Sequence, residues 1–508
     1  MHATISEATT LLECLAHRHD PRAAAALVQN ETALSYEALL ARVAALAGRL
    51  GDLGLARGDR VLLLFPNSID HVVAVLAVMA RGGVAVPLDP ETGAARLAHV
   101  IEETDPRLCL IPEGMEGPAA LSSAAYSLDA LLAEGRALSQ SRGVLETPAP
   151  RDEIAVIRYS SGSTGVPKGV PLSHGQILWT AATLARVYGL DERHKDYVIA
   201  PLSHSDGWQR TAMTLLAGGT AVLAEGPPSV PAILEDAGTH GITGFYLPPP
   251  LVRMLLKSPA DRVRPALAAC RTIETGSAPL SGAEIAALLA LLPNARVFVH
   301  YGLTECSRAL ILDARAHPDK LETVGRPAPE VELRLSADDG APAGAGQAGQ
   351  ILLRGPQQAT SYWQRPGLTA ARFPDGWLAT GDYGMLDAEG FLTFLGRRDD
   401  LITSSGHHFF PAEVEAELGP FEDIAHYVIA GVPDPRGLVE EVPWAFVVPA
   451  APETWSPQGF LSQARKRLPR YMVPRLVVAV PELPLTASGK PDRRRTVALY
   501  GAQEGRPT

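Results

Sequence analysis

The sequence predicts an α/β protein with a large N-terminal domain and a small C-terminal domain. The chain has 508 residues, enough for about three domains, or for two if one is large, at roughly 150 residues per domain. As far as residue 300, apolar strand-like runs alternate with stretches of helical spacing, as in a parallel sheet with crossover helices. After Val331 the pattern changes to short alternating strands, and beyond Arg397 to a second, smaller α/β series.

The first series opens with a helix and a buried strand. The stretch SYEALLARVAALAGRL, from Ser35, repeats apolar residues at helical spacing, and Gly58-Asp59 then leads into an apolar run. The same alternation continues toward residue 111. It predicts helices over 35–50, 70–81 and 94–103, and strands over 61–65, 84–87 and 108–111.

A second α/β series completes the large domain. Buried strands are predicted over 154–159, 196–200, 220–223, 244–247, 272–275 and 296–300, followed by a β-subdomain at about 325–396. The small domain is predicted to contain helices over 411–418 and 458–468 and strands over 425–431, 443–449 and 476–480. The predicted domains are therefore 1–398 and 399–508.

Composition excludes several classes of protein. Lysine and arginine number 45 against 56 acidic residues, a net charge of −11, which is the wrong sign for a protein that coats nucleic acid or an anionic membrane. The four cysteines are far apart, which indicates neither a zinc knuckle nor a disulfide framework. Acidic residues near the N-terminus and the short apolar run at 72–80 suggest neither a signal peptide nor a membrane span. We expect a cytoplasmic protein.

The most informative stretch is YSSGSTGVPKG, residues 159–169, which follows the buried strand IAVIRY. Glycines allow backbone N–H groups to approach phosphate oxygens, the hydroxyl side chains add donors, and Lys168 adds a cation. The spacing fits neither a Walker A loop nor a nucleophile elbow. The alternative is a flexible surface turn, but a position directly after a buried strand favours phosphate binding.

These residues resemble the signature loop of the ANL superfamily of adenylate-forming enzymes, and further motifs follow in that family's order. They are GSAPL at 276–280, YGLTE at 301–305, TGD at 380–382, GRRDD at 396–400 and PLTASGK at 484–490. The resemblance covers essentially the whole chain. It implies two α/β subdomains and a β-subdomain, then a mobile C-terminal domain that carries a catalytic lysine.

The resemblance also implies a set of ATP-binding residues. By position in the motifs they are Ser160, Ser161, Gly162, Ser163, Thr164, Gly165, Lys168, Gly276, Ser277, Ala278, Tyr301, Gly302, Asp382 and Arg397. In this set Asp382 and Arg397 are expected to bind the ribose hydroxyls, and Tyr301 is placed to stack on the base. For Asp382 alone, a structural turn is the alternative.

Four residues are implied in catalysis: Lys168, Thr304, Glu305 and Lys490. Glu305 offers a hard oxygen ligand to Mg²⁺ on the ATP phosphates, although YGLTE could also be a capped helix start. Lys490 would bridge the substrate carboxylate and the α-phosphate, where a lone lysine is otherwise a surface charge. Asp399 falls at the family's interdomain hinge, and the alternative is an exposed acid in a turn.

The acyl pocket implied by the resemblance includes His204, Ser205, Asp206, Phe245, Gly276, Ser277, Tyr301 and Gly302. A histidine at 204 is common in synthetases for acids without an α-amino group. A carboxylate in a largely apolar pocket needs a cation. Asp206 is therefore either paired with a protein arginine such as Arg210 or available to a substrate ammonium, and an ammonium held there would suit a β-amino acid.

The predicted function is ATP-dependent activation of a carboxylic acid as acyl-AMP, with Mg²⁺ as cofactor. A β-amino acid and transfer to the phosphopantetheine thiol of a separate carrier protein are the first interpretation, because the segment at 200–210 resembles enzymes of macrolactam biosynthesis. The alternative is a CoA ligase or fatty acyl-AMP ligase for an unaminated acid. Basic clusters at 465–467 and 493–495 could dock a carrier, or they are solvated faces.

Three other patterns predict no chemistry. Gly344, Gly346 and Gly349 match a dinucleotide fingerprint but precede a strand, which favours a hairpin loop. The residues Ser203 to Asp206 have the types of a catalytic triad, but neighbours on an extended chain point to alternate faces. Adjacent histidines such as His407 and His408 rarely converge on one metal ion.

Overall fold

The computed structural model describes residues 8–17, 25–133, 149–160, 167–226, 229–337, 339–404, 407–434, 436, 439–453, 455–485 and 491–501. The chain divides into two compact units, one of Met1–Glu332 with Leu353–Leu378, the other of Leu333–Leu352 with Ala379–Thr508. The predicted α/β class is confirmed by the elements of both units. The predicted domain boundary after residue 398 stays a prediction.

Helices and strands alternate through most of the described chain. The helices are α1 Leu11–Ala16, α2 Tyr36–Asp52, α3 Ile69–Ala80, α4 Ala94–Thr104, α5 Leu128–Ala133, α6 His174–Tyr188, α7 Ser205–Ala217, α8 Val230–His240, α9 Pro249–Leu256, α10 Ala260–Ala266, α11 Gly282–Leu291, α12 Pro366–Arg372, α13 Pro411–Leu418, α14 Pro457–Arg467 and α15 Arg493–Tyr500. The first strands are β1 Ala25–Gln29, β2 Thr32–Ser35, β3 Arg60–Leu64, β4 Val84–Leu88, β5 Leu108–Ile111, β6 Ala125–Ser127, β7 Ile154–Ser160, β8 Lys168–Ser173, β9 Lys195–Val198, β10 Thr220–Leu223, β11 Gly244–Tyr246 and β12 Thr272–Gly276. The later strands are β13 Arg296–Leu303, β14 Cys306–Asp313, β15 Arg326–Pro327, β16 Glu332–Ser336, β17 Ala348–Arg354, β18 Leu378–Leu386, β19 Leu392–Arg397, β20 Ile402–Ser404, β21 His407–Phe409, β22 Ile424–Pro433, β23 Glu441–Pro449 and β24 Leu476–Ala479.

The first unit contains two large sheets. The six-stranded sheet has the order β6-β5-β3-β4-β7-β8, and the nine-stranded sheet has the order β15-β14-β13-β12-β11-β9-β10-β1-β2. Most neighbours are parallel, but β8 runs antiparallel to β7, and β14 runs antiparallel to β13. The two most distinctive sequence motifs, YSSGSTGVPKG and YGLTE, lie at these two reversals.

Local sequence signals account for the helices beside these sheets. The hydroxyl of Ser35 accepts a hydrogen bond from the N–H of Ala38 at the start of α2, near the predicted start of that helix. Helix α6 opens with a capping box between Ser173 and Gln176 and ends at Gly189, whose φ of 68° suits glycine. The core of the unit forms around α3, α6 and α7, which are buried along most of their lengths.

The second unit carries two smaller sheets that matter here. One has the order β16-β17-β18-β19, and the other has the order β22-β23-β24. Gly344 and Gly346 lie in the connection between β16 and β17, which are neighbours in the sheet, and Gly349 is the second residue of β17, so the hairpin interpretation is confirmed over a dinucleotide fingerprint. Among the residues described, no helix combines the length and the apolar character that crossing a bilayer requires.

Candidate active site

The phosphate-loop motif begins and ends on paired strands. Ser160 is the last residue of β7, Lys168 is the first of β8, and the two are register partners. Residues 161–166 lie outside the described part, so the predicted Ser161, Gly162, Ser163, Thr164 and Gly165 have no structural outcome here. Both stems of the loop therefore emerge at one point, at the carboxyl end of a parallel strand, where α/β sheets bind ligands.

The loop stems are held by a buried hydrogen-bonded cluster. The hydroxyl of Tyr159 donates to Glu103 Oε2 at 2.7 Å, and Arg365 Nε donates to Glu103 Oε1 at 2.6 Å. The backbone N–H of Trp363 donates to the carbonyl of Gly169 at 2.8 Å, and its indole N–H donates to the carbonyl of Glu103. The segment at 363–365 thus ties α4 to both stems of the loop.

Glu305, the predicted magnesium ligand, lies with Thr304 in the turn between β13 and β14. Its side chain is buried, and the hydroxyl of Tyr362 donates to Glu305 Oε1. The backbone N–H of Ala359 donates to the carbonyl of Glu305 at 2.8 Å. Lys168 Nζ lies 5.8 Å from the centre of the Tyr362 ring. Tyr362 therefore connects the predicted metal ligand with Lys168, the predicted phosphate-binding lysine.

The other motif residues of the first unit lie at the ends of β12 and β13. Gly276 is buried at the end of β12, and a Cβ there would lie 2.6 Å from the ring of His300. Ser277 follows with φ of 62°, and Ala278 comes next. Tyr301 is buried near the end of β13, followed by Gly302, where a Cβ would come within 2.5 Å of the backbone nitrogen of Arg308. Close packing explains both glycines.

The predicted acyl wall is the start of a helix. His204 is the N-cap residue of α7, Ser205 and Asp206 form its first turn, and the extended chain assumed from the sequence at 205–206 is wrong. Phe245 on β11 is fully buried and packs edge-on against Tyr197. Its neighbour Tyr246 instead shares a 2.9 Å hydrogen bond with the hydroxyl of Ser277. Tyr246 is thus a pocket candidate that sequence reasoning missed.

Asp206 is paired with an arginine other than the one suggested by the sequence. Arg308 Nη1, on β14, lies 3.0 Å from Asp206 Oδ1, and the Arg308 side chain is 1% exposed. The proposed partner, Arg210, is wrong because its guanidinium contacts Asp196 and Glu274 instead. The backbone of Arg308 has φ of 48°, a left-handed conformation that costs free energy in a residue with a side chain.

Glu274 is the centre of a buried ionic network behind the acyl wall. Its carboxylate lies 2.8 Å from Arg308 Nε, 2.6 Å from Arg210 Nη1 and 2.8 Å from His300 Nδ1. Burial alone would raise the pKa of Glu274, but the charges and hydrogen bonds of Arg308, His300 and Arg210 hold it well below its usual range. Asp196 is ionised for the same reason, since Arg210 lowers its pKa against the effect of burial.

The second unit holds the remaining motif residues. Asp382 on β18 is the register partner of Arg397 on β19, and Arg397 Nε lies 3.7 Å from Asp382 Oδ1. Asp399 lies in a short 3₁₀ turn and pairs with Arg494 at 2.8 Å, and both side chains are more than half exposed. The predicted catalytic Lys490 lies outside the described residues. The roles of these residues, and of Asp399 as a hinge, stay predictions.

Sequence matches identify the family. The chain matches the AMP-binding enzyme family over residues 16–363, and the C-terminal domain of AMP-binding enzymes over residues 413–490. This protein belongs to the ANL superfamily of adenylate-forming enzymes. It is 34% identical over 481 residues to a feruloyl-CoA synthase from Amycolatopsis, covering 92% of this chain and 94% of that protein. It is 32% identical over 482 residues to a 2-succinylbenzoate–CoA ligase from Bacillus velezensis, with the same coverage of each chain.

A solved ANL enzyme extends the comparison to structure. The O-succinylbenzoate CoA synthetase of Bacillus subtilis, in complex with ATP and magnesium ion, has a TM-score of 0.83 and 27% identity, covering 96% of this chain and 98% of that one. As an ANL enzyme, this protein activates a carboxylic acid with ATP, and its cofactors are ATP and Mg²⁺. The oxygen donors at Thr304 and Glu305 fit a hard cation such as Mg²⁺.

Sequence reasoning also missed Tyr362, Arg308 and Glu274. For two of them the signal was a charged residue inside an apolar strand, in RTIETG for Glu274 and in SRALIL for Arg308. A charge at such a position is stable only when it is paired. Tyr362 carried no comparable signal, because a buried tyrosine is ordinary in an ANL core.

Replacing Tyr362 with phenylalanine should weaken the use of Mg²⁺ by this ANL enzyme. The substitution removes an O–H donor to the Glu305 carboxylate, and a hydrogen bond to a charged group contributes about 1.5–3 kcal/mol. We expect kcat/KM for Mg-ATP to fall by roughly 10- to 100-fold, with a higher Mg²⁺ concentration needed for half-maximal rate. ATP–pyrophosphate exchange across a Mg²⁺ series measures both.

The control is Tyr36→Phe, which also removes a buried tyrosine hydroxyl, one that donates to the carbonyl of Gly219 at 2.7 Å. Tyr36 lies on α2, which carries no candidate ATP-site residue. Its Mg²⁺ dependence should match the wild type. An unchanged Mg²⁺ dependence in Tyr362→Phe would show that Glu305 needs no support from Tyr362.

Proposed function

We propose that this enzyme activates an unaminated carboxylic acid with ATP and transfers the acyl group to coenzyme A. The observation that carries the proposal is the ion pair between Asp206 and Arg308. A substrate ammonium needs a carboxylate without another cation beside it, and Asp206 already faces a buried guanidinium. The names of the feruloyl-CoA synthase and of the 2-succinylbenzoate–CoA ligase support coenzyme A as acceptor and an acid without an amino group.

The proposed reaction has two steps. A carboxylate oxygen of the acid attacks the α-phosphorus of ATP, the bond from that phosphorus to the bridging oxygen breaks, and pyrophosphate leaves. The thiol sulfur of coenzyme A then attacks the carbonyl carbon of the acyl-AMP, AMP leaves, and the thiol proton passes to solvent. Glu305 and the Thr304 hydroxyl would hold Mg²⁺, which would neutralise charge on the phosphates.

Two side chains of this chain act in the first step. Lys168 stands opposite Ser160 at the mouth of the phosphate loop, where its cation stabilises charge on the phosphates. The hydroxyl of Tyr362 holds the carboxylate of Glu305, and the N–H of Ala359 holds its backbone carbonyl, so the carboxylate is oriented before ATP binds. Preorganised charge of this kind acts without reorganisation during the reaction.

A second candidate function is the loading of a β-amino acid onto the phosphopantetheine of a separate carrier protein. One observation favours it: the Asp206 side chain is 28% exposed, so a substrate can reach the carboxylate. An ammonium bound there would add a cation to the Asp206–Arg308 pair. Because the charge of Asp206 is already paired with that of Arg308, an acid without an ammonium group is favoured.

A substrate screen separates the two functions. Pyrophosphate exchange is measured with cinnamic, benzoic and medium-chain fatty acids, and with their β-amino counterparts, and thioester formation is followed by chromatography with coenzyme A. We expect exchange and a CoA thioester with unaminated acids. Exchange with β-amino acids alone, and no CoA thioester from any acid, would overturn the proposal in favour of the second candidate.

Asp206→Asn gives an independent test of the same choice. Because Arg308 keeps Glu274 as an ionic partner, we expect kcat/KM for an unaminated acid to change less than about tenfold, roughly 1.4 kcal/mol. If an ammonium binds Asp206, the same substitution removes a buried charge pair worth about 2–5 kcal/mol. Kinetics of pyrophosphate exchange distinguish the two results, since the second predicts a loss of at least about thirtyfold for β-amino acids.

A further inference from the structure

A buried arginine beside the candidate acyl wall has no ionic partner among the residues that the structure describes. Arg158 is on β7, two residues before Ser160, and is 2% exposed. Its Nη1 donates to the carbonyl of Ser203 at 2.9 Å and to that of Leu202 at 3.3 Å. Its guanidinium carbon lies 6.0 Å from the ring centre of Trp208 on α7. These contacts fix the guanidinium under the turn that leads into α7.

The other two nitrogens of this guanidinium have no hydrogen-bond partner in the described part of the chain. Within the described ranges, Nε and Nη2 of Arg158 have no hydrogen-bond partner, and no carboxylate lies within ion-pair distance. These two nitrogens share one edge of the guanidinium fork, the edge that binds carboxylates with two parallel hydrogen bonds. Burial lowers the pKa of Arg158 to about 9, while the charge of Asp206 raises it, and the group is cationic at neutral pH.

One neighbour of this guanidinium offers a further donor. Among the described residues, the indole N–H of Trp208 is also buried without a hydrogen-bond partner, whereas Nδ1 of His71 on α3 lies 3.3 Å from the carbonyl of Pro66. Burial, together with the charge of Arg158, lowers the pKa of His71 to about 4, so His71 is neutral near pH 7 and donates through Nδ1, which leaves Nε2 as an acceptor. A group that accepts hydrogen bonds and carries negative charge matches the open edge of Arg158 and the indole N–H of Trp208 best.

The position of Arg158 connects it with the acid. Leu202 and Ser203, whose carbonyls hold the guanidinium, directly precede His204, Ser205 and Asp206. Asp206 itself is engaged by Arg308, so it does not serve as the ion-pair partner of Arg158. An acid that binds along the 204–206 segment would therefore lie beside a buried cation whose Nε and Nη2 have no hydrogen-bond partner among the described residues.

We propose that Arg158 binds a second carboxylate at the far end of the substrate, which makes the preferred substrate a dicarboxylic acid. The proposal rests on the proposed function and narrows its substrate class. Arg158 is then a specificity-determining residue, because the buried fork stabilises an acid with a distal carboxylate and leaves an acid with a distal methyl group or hydrogen atom facing an unpaired cation.

The test compares acids that differ by one distal carboxylate. Hexanoate is compared with adipate, and 3-phenylpropionate with 3-(4-carboxyphenyl)propionate, in pyrophosphate exchange. The wild-type enzyme should prefer the diacid of at least one pair by tenfold or more in kcat/KM. Arg158→Met, which keeps the length of the side chain but removes charge and donors, should lower that ratio at least thirtyfold. The control is Arg253→Met. Arg253 lies on α9 and pairs at the surface with Glu284 on α11, and its replacement should leave the ratio unchanged.

A second variant keeps the test decisive if Arg158→Met does not fold. Arg158→Lys retains the cation but not the two-pronged edge, and it should lower the diacid preference by a smaller factor than methionine. The inference is overturned if the wild-type ratio is near one for both pairs, or if every soluble variant keeps the wild-type ratio.

The outcomes for the proposed function are measured separately. Thioester formation with coenzyme A tests the acceptor, and it does not depend on the ratio between diacid and monoacid. If monoacids give CoA thioesters and the Arg158 variants keep the wild-type ratio, the inference fails alone. If no acid gives a CoA thioester but the exchange ratio depends on Arg158, coenzyme A as acceptor fails, and the inference about the acid stands.

Discussion

Lys490→Ala should reduce acyl-AMP formation by several orders of magnitude while transfer from preformed acyl-AMP survives. The position matches the lysine of the family motif PLTASGK, whose cation neutralises charge as the carboxylate meets the α-phosphate. That charge is largest in the transition state, so ATP affinity and thermal stability should stay near wild type. Pyrophosphate exchange measures the first step, and thioester formation from synthetic acyl-AMP measures the second.

The matched control is Lys257→Ala, which removes an exposed lysine at the C-terminal end of α9. Both half-reactions of this control should proceed at the wild-type rate. An exchange rate for Lys490→Ala within about tenfold of wild type, which is about 1.4 kcal/mol in barrier, would remove Lys490 from the chemistry. Equal losses in both half-reactions would indicate a structural defect.

Glu274→Ala should destabilise the first unit by about 3–5 kcal/mol, because it removes the carboxylate shared by Arg210, Arg308 and His300 and leaves buried charge uncompensated. The free energy of unfolding is measured by urea titration, followed by tryptophan fluorescence. The control is Glu332→Ala, whose pair with Arg354 is about half exposed on both sides. It should cost less than about 1 kcal/mol.

The same network predicts a dependence on pH. The folded-state pKa of Glu274 lies well below its value of 4.5 in an unfolded chain. Its contribution is therefore fully present above pH 4.5 and is lost as the pH falls toward the folded-state pKa. The difference in unfolding free energy between wild type and Glu274→Ala should be constant from pH 7 to about 5 and shrink below that. A difference that grows on acidification would contradict an ionised Glu274.

The sequence predicted best the features that are local in the chain. The strand before the phosphate loop was predicted at 154–159 and found at Ile154–Ser160, because an unbroken apolar run followed by glycine and hydroxyl residues has few other structures available. The helix predicted from residue 35 begins at Tyr36 with Ser35 as its cap, since capping depends on neighbouring residues alone.

Features that depend on contact between distant segments could not be predicted in the same way. Asp206 and Arg308 lie on α7 and β14, and the sequence offered Arg210 as the nearer partner. The spacing of four residues on one helix did not pair Asp206 with Arg210, because the guanidinium of Arg210 contacts Asp196 and Glu274 on strands of the sheet. The return strand β14 was also missed, since an antiparallel strand after a short turn has no crossover helix to indicate it.

The pairing of Asp206 with Arg308 limits the routes by which this enzyme could acquire a different specificity. A substitution of Asp206 and a substitution of Arg308 are coupled, because each side chain shares its charge with the other and, through Arg308, with Glu274. Directed evolution toward an acid that carries a cationic group would have to replace Arg308 and change the charge at Glu274 together. Variants with only one of these substitutions would be less active than both the starting enzyme and the final variant. A library that varies residues 206, 274 and 308 at the same time can reach the final combination directly, whereas a scan of one position at a time would find only variants with reduced activity.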